Sequence, residues 1–292
     1  MKKILVTGSE GLIGKVLCEK LEKKFKVVHY DLKRKKNILN KKQLKKDLKG
    51  CVGVIHLAGE SRVPMGYKYP LKTIKNNIIG TGNILESIRE LDSQIWCIYA
   101  SSREIYGESK IRFREKDLPN PINIYATTKF ASELLMRNFG RNYGIDTYVM
   151  RFSNVYGGLN DHKDRVIPKF LNQAINNVNI TVDGGKQVFD FVHVDDATNG
   201  VIRIVNGIIS KRLKEKTFLF VTGRGTSIME LAKKIIKITN SDSKIEIRKP
   251  RDYDVNHFIG NPSGSKKSLG WKSSIKLEKG LKIYFKEMIK KD

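Results

Sequence analysis

The sequence predicts an α/β protein built on a doubly wound parallel β-sheet, with a smaller α/β region toward its C-terminal end. Three observations carry this reading. Short apolar runs alternate with helix-period segments through the first half of the chain. Those runs are apolar nearly throughout instead of alternating with polar residues, as in strands covered on both faces. A glycine-rich turn follows the first run and opens directly into a helical pattern.

Taken in order, residues 2–6 read as a strand, 12–23 as a helix, 26–30 as a strand and 52–57 as another. A helix over 72–90 follows, then a strand over 95–100, a helix over 125–143 and a strand over 147–152. Beyond Tyr156 the pattern loosens into a loop, a helix from about 165 to 178, smaller pieces, and a last helix over 277–290. The expected division is a first domain over 1–158, to which 189–209 returns, and a region over 159–292 that caps the carboxyl edge of the sheet, where open α/β sheets bind ligands.

Composition excludes several classes of function. The chain has 292 residues, with 56 Lys plus Arg against 30 Asp plus Glu, a formal charge of +26. The lysines are scattered over surface helices and loops, densest between Lys33 and Lys49, and no aromatic-interleaved motif accompanies them. A solvated basic surface is expected, not a nucleic-acid partner. No apolar stretch approaches membrane-spanning length, and the run from Ile4 to Thr7 is too short for a signal-peptide core, so a cytoplasmic location and no membrane partner are expected. Cys18, Cys51 and Cys97 lie far apart in apolar surroundings and predict buried thiols and no metal site.

The turn after the first strand is TGSEGLIG, Thr7 to Gly14. Gly8 permits the sharp turn, Gly11 a close main-chain approach to a pyrophosphate, and Gly14 tight packing of helix on strand. Leu12 and Ile13 begin a helix whose unpaired N–H groups and partial positive charge favour phosphates. Glycines at this spacing between strand and helix predict a Rossmann-like dinucleotide-binding domain. Asp31 closes the second strand, where an acidic side chain accepts ribose hydroxyls, so the predicted cofactor is NAD. Lys33 and Arg34 follow and could embrace a 2′-phosphate, which leaves NADP as the alternative.

Tyr125 and Lys129 occur as YATTK at the start of a predicted helix, and their spacing puts both on one face. A tyrosine with a pKa of about 10 is a poor base at neutral pH. An ammonium about 5 Å away at an effective dielectric near ~20 favours the phenolate by ~3 kcal/mol, enough to predict a lowered pKa. Such a phenol can take a hydroxyl proton while hydride leaves the same carbon. The fourth strand runs into YASSREIYG, which delivers Ser102 to the carboxyl edge as a hydroxyl for the substrate oxygen, with Ser101 expected to cap or support the backbone.

With these motifs the chain resembles the extended short-chain dehydrogenases/reductases, specifically the NAD-dependent sugar epimerase/dehydratase family, nearly end to end. The matching stretches include HLAG at His56 to Gly59, NNIIGT at Asn76 to Thr81, RFSNVYG at Arg151 to Gly157, VIPKF at Val166 to Phe170 and FDFVHVDD at Phe189 to Asp196. The resemblance implies a nucleotide-diphosphate sugar as substrate, with Ser102, Tyr125 and Lys129 catalytic. It places Leu57, Ala58, Gly59 and Asn77 near the cofactor, and Asn154, Val166 and Lys169 near the substrate's nucleotide and phosphates. Phe258 matches a bulky gatekeeper of the sugar pocket. It also implies a homodimer through helices 72–90 and 125–143, although Ile84, Ile88, Leu134 and Leu135 on them could equally be core. For a diphosphate-bearing substrate, a basic surface would speed encounter at low salt.

Two positions depart from the family pattern. Phe189 stands where an arginine usually precedes the aspartate and binds diphosphate, which leaves Arg251, or Lys186 from another backbone position, to supply the charge. Arg103 follows Ser102 where related 4,6-dehydratases carry an acidic proton donor, and a guanidinium has no proton to give. Glu104 remains open between a base for sugar C–H chemistry and a solvated or ion-paired residue. The expected reaction is therefore C4 epimerisation through a 4-keto sugar. A reductase or dehydrogenase that exchanges cofactor, a dehydratase, and a catalytically silent nucleotide-binding relative are the alternatives.

Overall fold

The computed structural model describes residues 1–91, 94–108, 112–250 and 255–290. Six parallel strands form the main sheet in the order β2-β1-β3-β4-β5-β9: β1 (Lys3–Thr7), β2 (Lys26–Tyr30), β3 (Cys51–His56), β4 (Trp96–Ser102), β5 (Thr147–Phe152) and β9 (Thr217–Phe220). Successive residues of β1 face opposite sides, and each side has its own core. Ile4 and Val6 pack with α1 (Leu12–Leu21) on one side, while Leu5 packs with Leu44 of α2 (Lys41–Leu48) on the other. This two-sided burial is why the strand sequences are apolar throughout.

The segment expected as one helix over 72–90 follows α3 (Val63–Lys68) and is broken into α4 (Pro70–Ile74), a π-helical turn at Lys75–Ile79, and α5 (Gly80–Leu91). The buried side chain of Asn77 sits in that turn and donates to Glu60 O at 3.2 Å and Thr128 Oγ1 at 2.9 Å. Helix α6 (Ile124–Tyr143) starts one residue before expectation because Asn123 caps it, accepting from Ala126 N at 2.9 Å. Helix α2 was not anticipated. Its sequence, KKQLKKDL, buries only Leu44 and Leu48.

After β5 come β6 (Asn154–Tyr156), α7 (Val166–Ile175), β7 (Ile180–Asp183) and β8 (Val188–His193). Helix α8 (Val194–Ile209) lies against α1, with Lys20 Nζ 2.8 Å from Asp195, and β9 then joins the main sheet beside β5. The remaining elements are β10 (Gly225–Ser227), α9 (Ile228–Thr239), β11 (Ile245–Arg248), β12 (His257–Phe258), α10 (Ser263–Leu269) and α11 (Leu277–Ile289). Strand β8 is flanked by β10 and β12 and also pairs with β6, while β7 pairs with β11.

A buried ion pair ties the sheet to α6. Arg151 of β5 meets Glu133 through Nε at 3.0 Å and Nη2 at 2.6 Å, and its Nη1 donates to Tyr106 Oη at 2.8 Å and to Glu115 O at 2.8 Å. Three of the four hydrogen bonds of this guanidinium go to α6 and to the turn after β4, so Arg151 fixes the helix that bears Tyr125 against the turn that follows Ser102.

Candidate functional site

A cavity of about 1310 Å³ runs along the carboxyl edge of the main sheet. Strand β1 lies between β2 and β3 there, so the connections diverge on either side of it and open a crevice at the strand ends. Gly8, Gly11, Leu12, Ile13, Gly14, Asp31, Leu57, Ala58, Gly59, Ser102, Glu104, Tyr125, Lys129, Asn154, Val166 and Lys169 all line this cavity. Of the other residues singled out by the sequence, Asn77 lies behind Gly59 instead of on the wall, and Phe258 is fully buried off the cavity among Tyr106 and Phe113. Lys186 is exposed and is not on the wall, and Arg251 lies outside the described residues.

The glycine turn is shaped as its spacing requires. Gly8 has φ +69°, and a Cβ there would lie 2.8 Å from Ala58 N; a Cβ on Gly14 would lie 2.0 Å from Gly8 O. Helix α1 begins at this turn without a side-chain cap, which leaves first-turn N–H groups for a ligand. Asp31 is fixed from two sides, accepting from Glu10 N at 3.1 Å and Lys33 N at 2.9 Å. Arg34 is ion-paired with Glu10. The residues present therefore fit a dinucleotide: main-chain groups for the phosphates, and a fixed carboxylate at the end of β2. His56, from the HLAG stretch, is buried between Thr7 Oγ1 at 2.8 Å and Thr81 Oγ1 at 3.0 Å, and burial lowers its pKa to about 3, so its ring is a neutral strut.

At the other end of the cavity Ser102, Tyr125 and Lys129 converge. The lysine Nζ donates to Ala100 O at 2.9 Å and lies 5.9 Å from the centre of the Tyr125 ring. The expected lowering of the tyrosine pKa is corrected here. Burial dominates and pushes Tyr125 up to about 12, against the opposing pull of a hydrogen bond with Ser102 and the charges of Arg165 and Arg103. Burial likewise lowers Lys129 to about 8, opposed by Glu60 and Glu133. The capping expected of Ser101 belongs to Ser102, whose Oγ accepts from Glu104 N at 3.2 Å, while Ser101 Oγ is buried and makes no hydrogen bond among the described residues.

Both departures from the family pattern meet at this end. Arg103 is buried and reaches Glu104 Oε1 at 2.7 Å and Asn154 Oδ1 at 3.1 Å. Its guanidinium lies over the Phe189 ring, 4.5 Å from the ring centre. Glu104 is therefore ion-paired. Several further charged residues on the cavity wall escaped sequence reasoning. Arg62 pairs with Asp164 at 2.6 Å, and Arg165 with Asp161 at 3.5 Å, the latter a carboxyl that burial raises to about 6. They belong to no spacing motif, and the first pair spans more than a hundred residues of chain. Among the described residues no group of His, Cys, Asp and Glu could hold a metal ion, and no helix is long and apolar enough to cross a membrane.

Comparison with known proteins agrees with this geometry. The profile of the NAD-dependent epimerase/dehydratase family matches residues 4–213. A putative UDP-glucose 4-epimerase of Methanocaldococcus jannaschii is 30% identical, over 96% of both chains. UDP-glucuronic acid decarboxylase 3 of Arabidopsis thaliana is 29% identical over 96% of this chain and 87% of its own. The crystal structure of UDP-glucose 4-epimerase from Thermotoga maritima, with UDP-glucose, superposes with a TM-score of 0.92 at 28% identity over 99% of both chains. With a matching profile over most of its length, the same sheet, and the glycine turn and YATTK helix on one cavity, the chain belongs to the NAD-dependent epimerase/dehydratase family.

Proposed function

We propose that this protein is a nucleotide-sugar 4-epimerase that uses NAD and regenerates it in each turnover. The observation that carries the reading is the composition of the catalytic end of the cavity: a serine, a tyrosine and a lysine converge there, while Glu104 is bound to Arg103. A dehydratase needs an acid and a base of its own beside the tyrosine. Here the residue after Ser102 cannot donate a proton, and the one after that is held by its neighbour. Oxidation and re-reduction at a single carbon needs neither.

Gly8, Gly11, Leu12, Ile13 and Gly14 would hold the cofactor's pyrophosphate, Asp31 the adenosine ribose, and Leu57, Ala58 and Gly59 the adjoining wall. When bound, NAD supplies a hydride acceptor at C4 of the sugar and then a donor to the opposite face. The tyrosine Oη, as the phenolate that Ser102, Arg165 and Arg103 favour against burial, takes the C4 hydroxyl proton and later returns it. Ser102, its oxygen engaged by the Glu104 amide, gives its proton to the hydrogen bond with Tyr125 and so favours the phenolate. Lys129 brings positive charge to the same pocket and is held there by Ala100 O. Asn154, Val166 and Lys169 form the wall for the nucleotide-diphosphate part. A cofactor carrying a 2′-phosphate would meet the Asp31 carboxylate, and Arg34 is engaged with Glu10, so NAD is the better match than NADP.

Exposed apolar side chains on the α4 and α6 surface, Leu71, Ile74 and Leu134, support a homodimer there, whereas Ile84 and Ile88 are fully buried and serve the core. Light scattering at micromolar concentration is expected to give twice the chain mass.

The decisive assay incubates purified protein with NAD and UDP-glucose, then with other nucleotide sugars, and separates the C4 epimers by chromatography. Interconversion with no net change in reduced or oxidised cofactor is expected. Net consumption of cofactor would make the protein a reductase or dehydrogenase, and a free 4-keto-6-deoxy product would make it a dehydratase.

A further inference from the structure

Arg103 is more confined than the other arginines of the cavity wall, Arg62 and Arg165. It is 6% exposed, its guanidinium lies 4.5 Å from the centre of the Phe189 ring and 5.4 Å from that of Phe258, and two of its three nitrogens are committed. Nε donates to Asn154 Oδ1 and Nη2 pairs with Glu104 Oε1. The third, Nη1, is buried and has no acceptor among the described residues. A flexible surface cation would swing to water. This one cannot, because rings and hydrogen bonds fix its plane.

Leaving a charged donor buried and unmet is costly, whereas an ionised acceptor makes it one of the stronger hydrogen bonds proteins form. The side chain belongs to the residue directly after Ser102, and Ser102, Glu104, Asn154 and Phe189 around it all line the cavity. The unmet donor thus belongs to a side chain at the end of the cavity where the sugar of a ligand and its nearest phosphate would be. Resting on the nucleotide-sugar reading, we infer that Arg103 is a substrate-binding residue whose Nη1 takes an anionic oxygen of the ligand. That oxygen comes from the diphosphate or from a carboxylate on the sugar. Phe189 gives the guanidinium its floor, and Asn154 and Glu104 set its rotation.

The test is calorimetric titration of the full-length protein, saturated with NAD, with UDP, UDP-glucose and UDP-glucuronate. Wild type is compared with Arg103→Gln, Arg103→Lys and the double variant Arg103→Met/Glu104→Gln, which removes the pair as a unit and leaves no carboxylate stranded. A loss of about tenfold to a hundredfold for all three ligands assigns the oxygen to the diphosphate; the same loss for UDP-glucuronate alone assigns it to a sugar carboxylate. In either case Arg103→Lys, which keeps the charge and loses the planar fork, recovers part of the affinity. Changes within about twofold for every ligand, with NAD binding intact in the double variant, would overturn the inference and reduce Arg103 to a lock on Glu104. Wild-type protein that binds NAD but none of the three ligands would remove the nucleotide-sugar reading itself, and this inference with it.

Discussion

The two ends of the cavity are built from different materials. Around the glycine turn the wall is main chain: two glycines without room for a Cβ, an uncapped helix start, and a carboxylate held by two backbone amides. Around Tyr125 it is side chain: an arginine, a glutamate, an asparagine and the Phe189 ring that fix one another, beside a tyrosine and a lysine whose pKa values are displaced by burial. A backbone cradle recognises a chemical group that is always the same. A side-chain network can be altered one residue at a time, and both departures from the family pattern lie in it.

If that contrast is right, substitutions at the side-chain end should change chemistry with the fold intact, and those at the backbone end should change both together. Replacing Tyr125 with Phe removes the proton acceptor alone. We expect kcat to fall by roughly 10²–10⁴-fold with NAD binding retained, measured by epimer formation and cofactor titration. A rate within about threefold of wild type would break the comparison at its strongest point.

Lys129→Met comes next. Burial holds the folded pKa at about 8 against a reference of 10.5, a penalty worth about 3 kcal/mol. The folded value is the lower one, so the penalty is present in full below pH 8 and fades as pH rises from 8 to 10.5. The variant should therefore lose turnover and yet be more stable by up to about 3 kcal/mol at pH 7, with the gap to wild type closing toward pH 10.5. Denaturant titrations at several pH values would show it.

A smaller effect is expected at the backbone end from Gly14→Ala. Its Cβ would meet Gly8 O at 2.0 Å, so the turn must shift. Such overpacking costs about 1–3 kcal/mol, and both the melting temperature and NAD affinity should fall. The smallest effect belongs to Arg34→Ala, which breaks an exposed ion pair with Glu10 near the same end. NAD affinity should stay within about twofold of wild type. A large loss would mean that a side chain, not the backbone, governs that end.

How much was legible in the sequence follows the same division. Strand, glycine spacing and helix onset are local, and they reveal the sheet and the turn after β1 because backbone geometry leaves glycine few substitutes. The Tyr125 and Lys129 pair is local too, being one helical turn apart. The ionisation of Tyr125 was not, since it depends on how thoroughly distant elements bury it, and burial outweighs the lysine. The Arg62 and Asp164 pair unites residues on separate loops that only the fold brings together. Arg103 was readable as an odd residue beside Ser102, but its stacking on Phe189 required the approach of β8 to the turn after β4. The break in the helix expected over 72–90 escaped notice because the chain stays helical through the π turn and no proline or glycine falls within Lys75–Ile79.

The Arg151 and Glu133 pair bears on the lysine one helical turn earlier. Glu133 is one of the two carboxylates that favour the charged form of Lys129, and it already answers to Arg151. Were residue 151 made neutral, an ionised Glu133 would no longer be answered by Arg151, and the Lys129 ammonium it favours would persist to higher pH. A change at a buried residue that does not itself line the cavity would then move the alkaline limb of the rate profile.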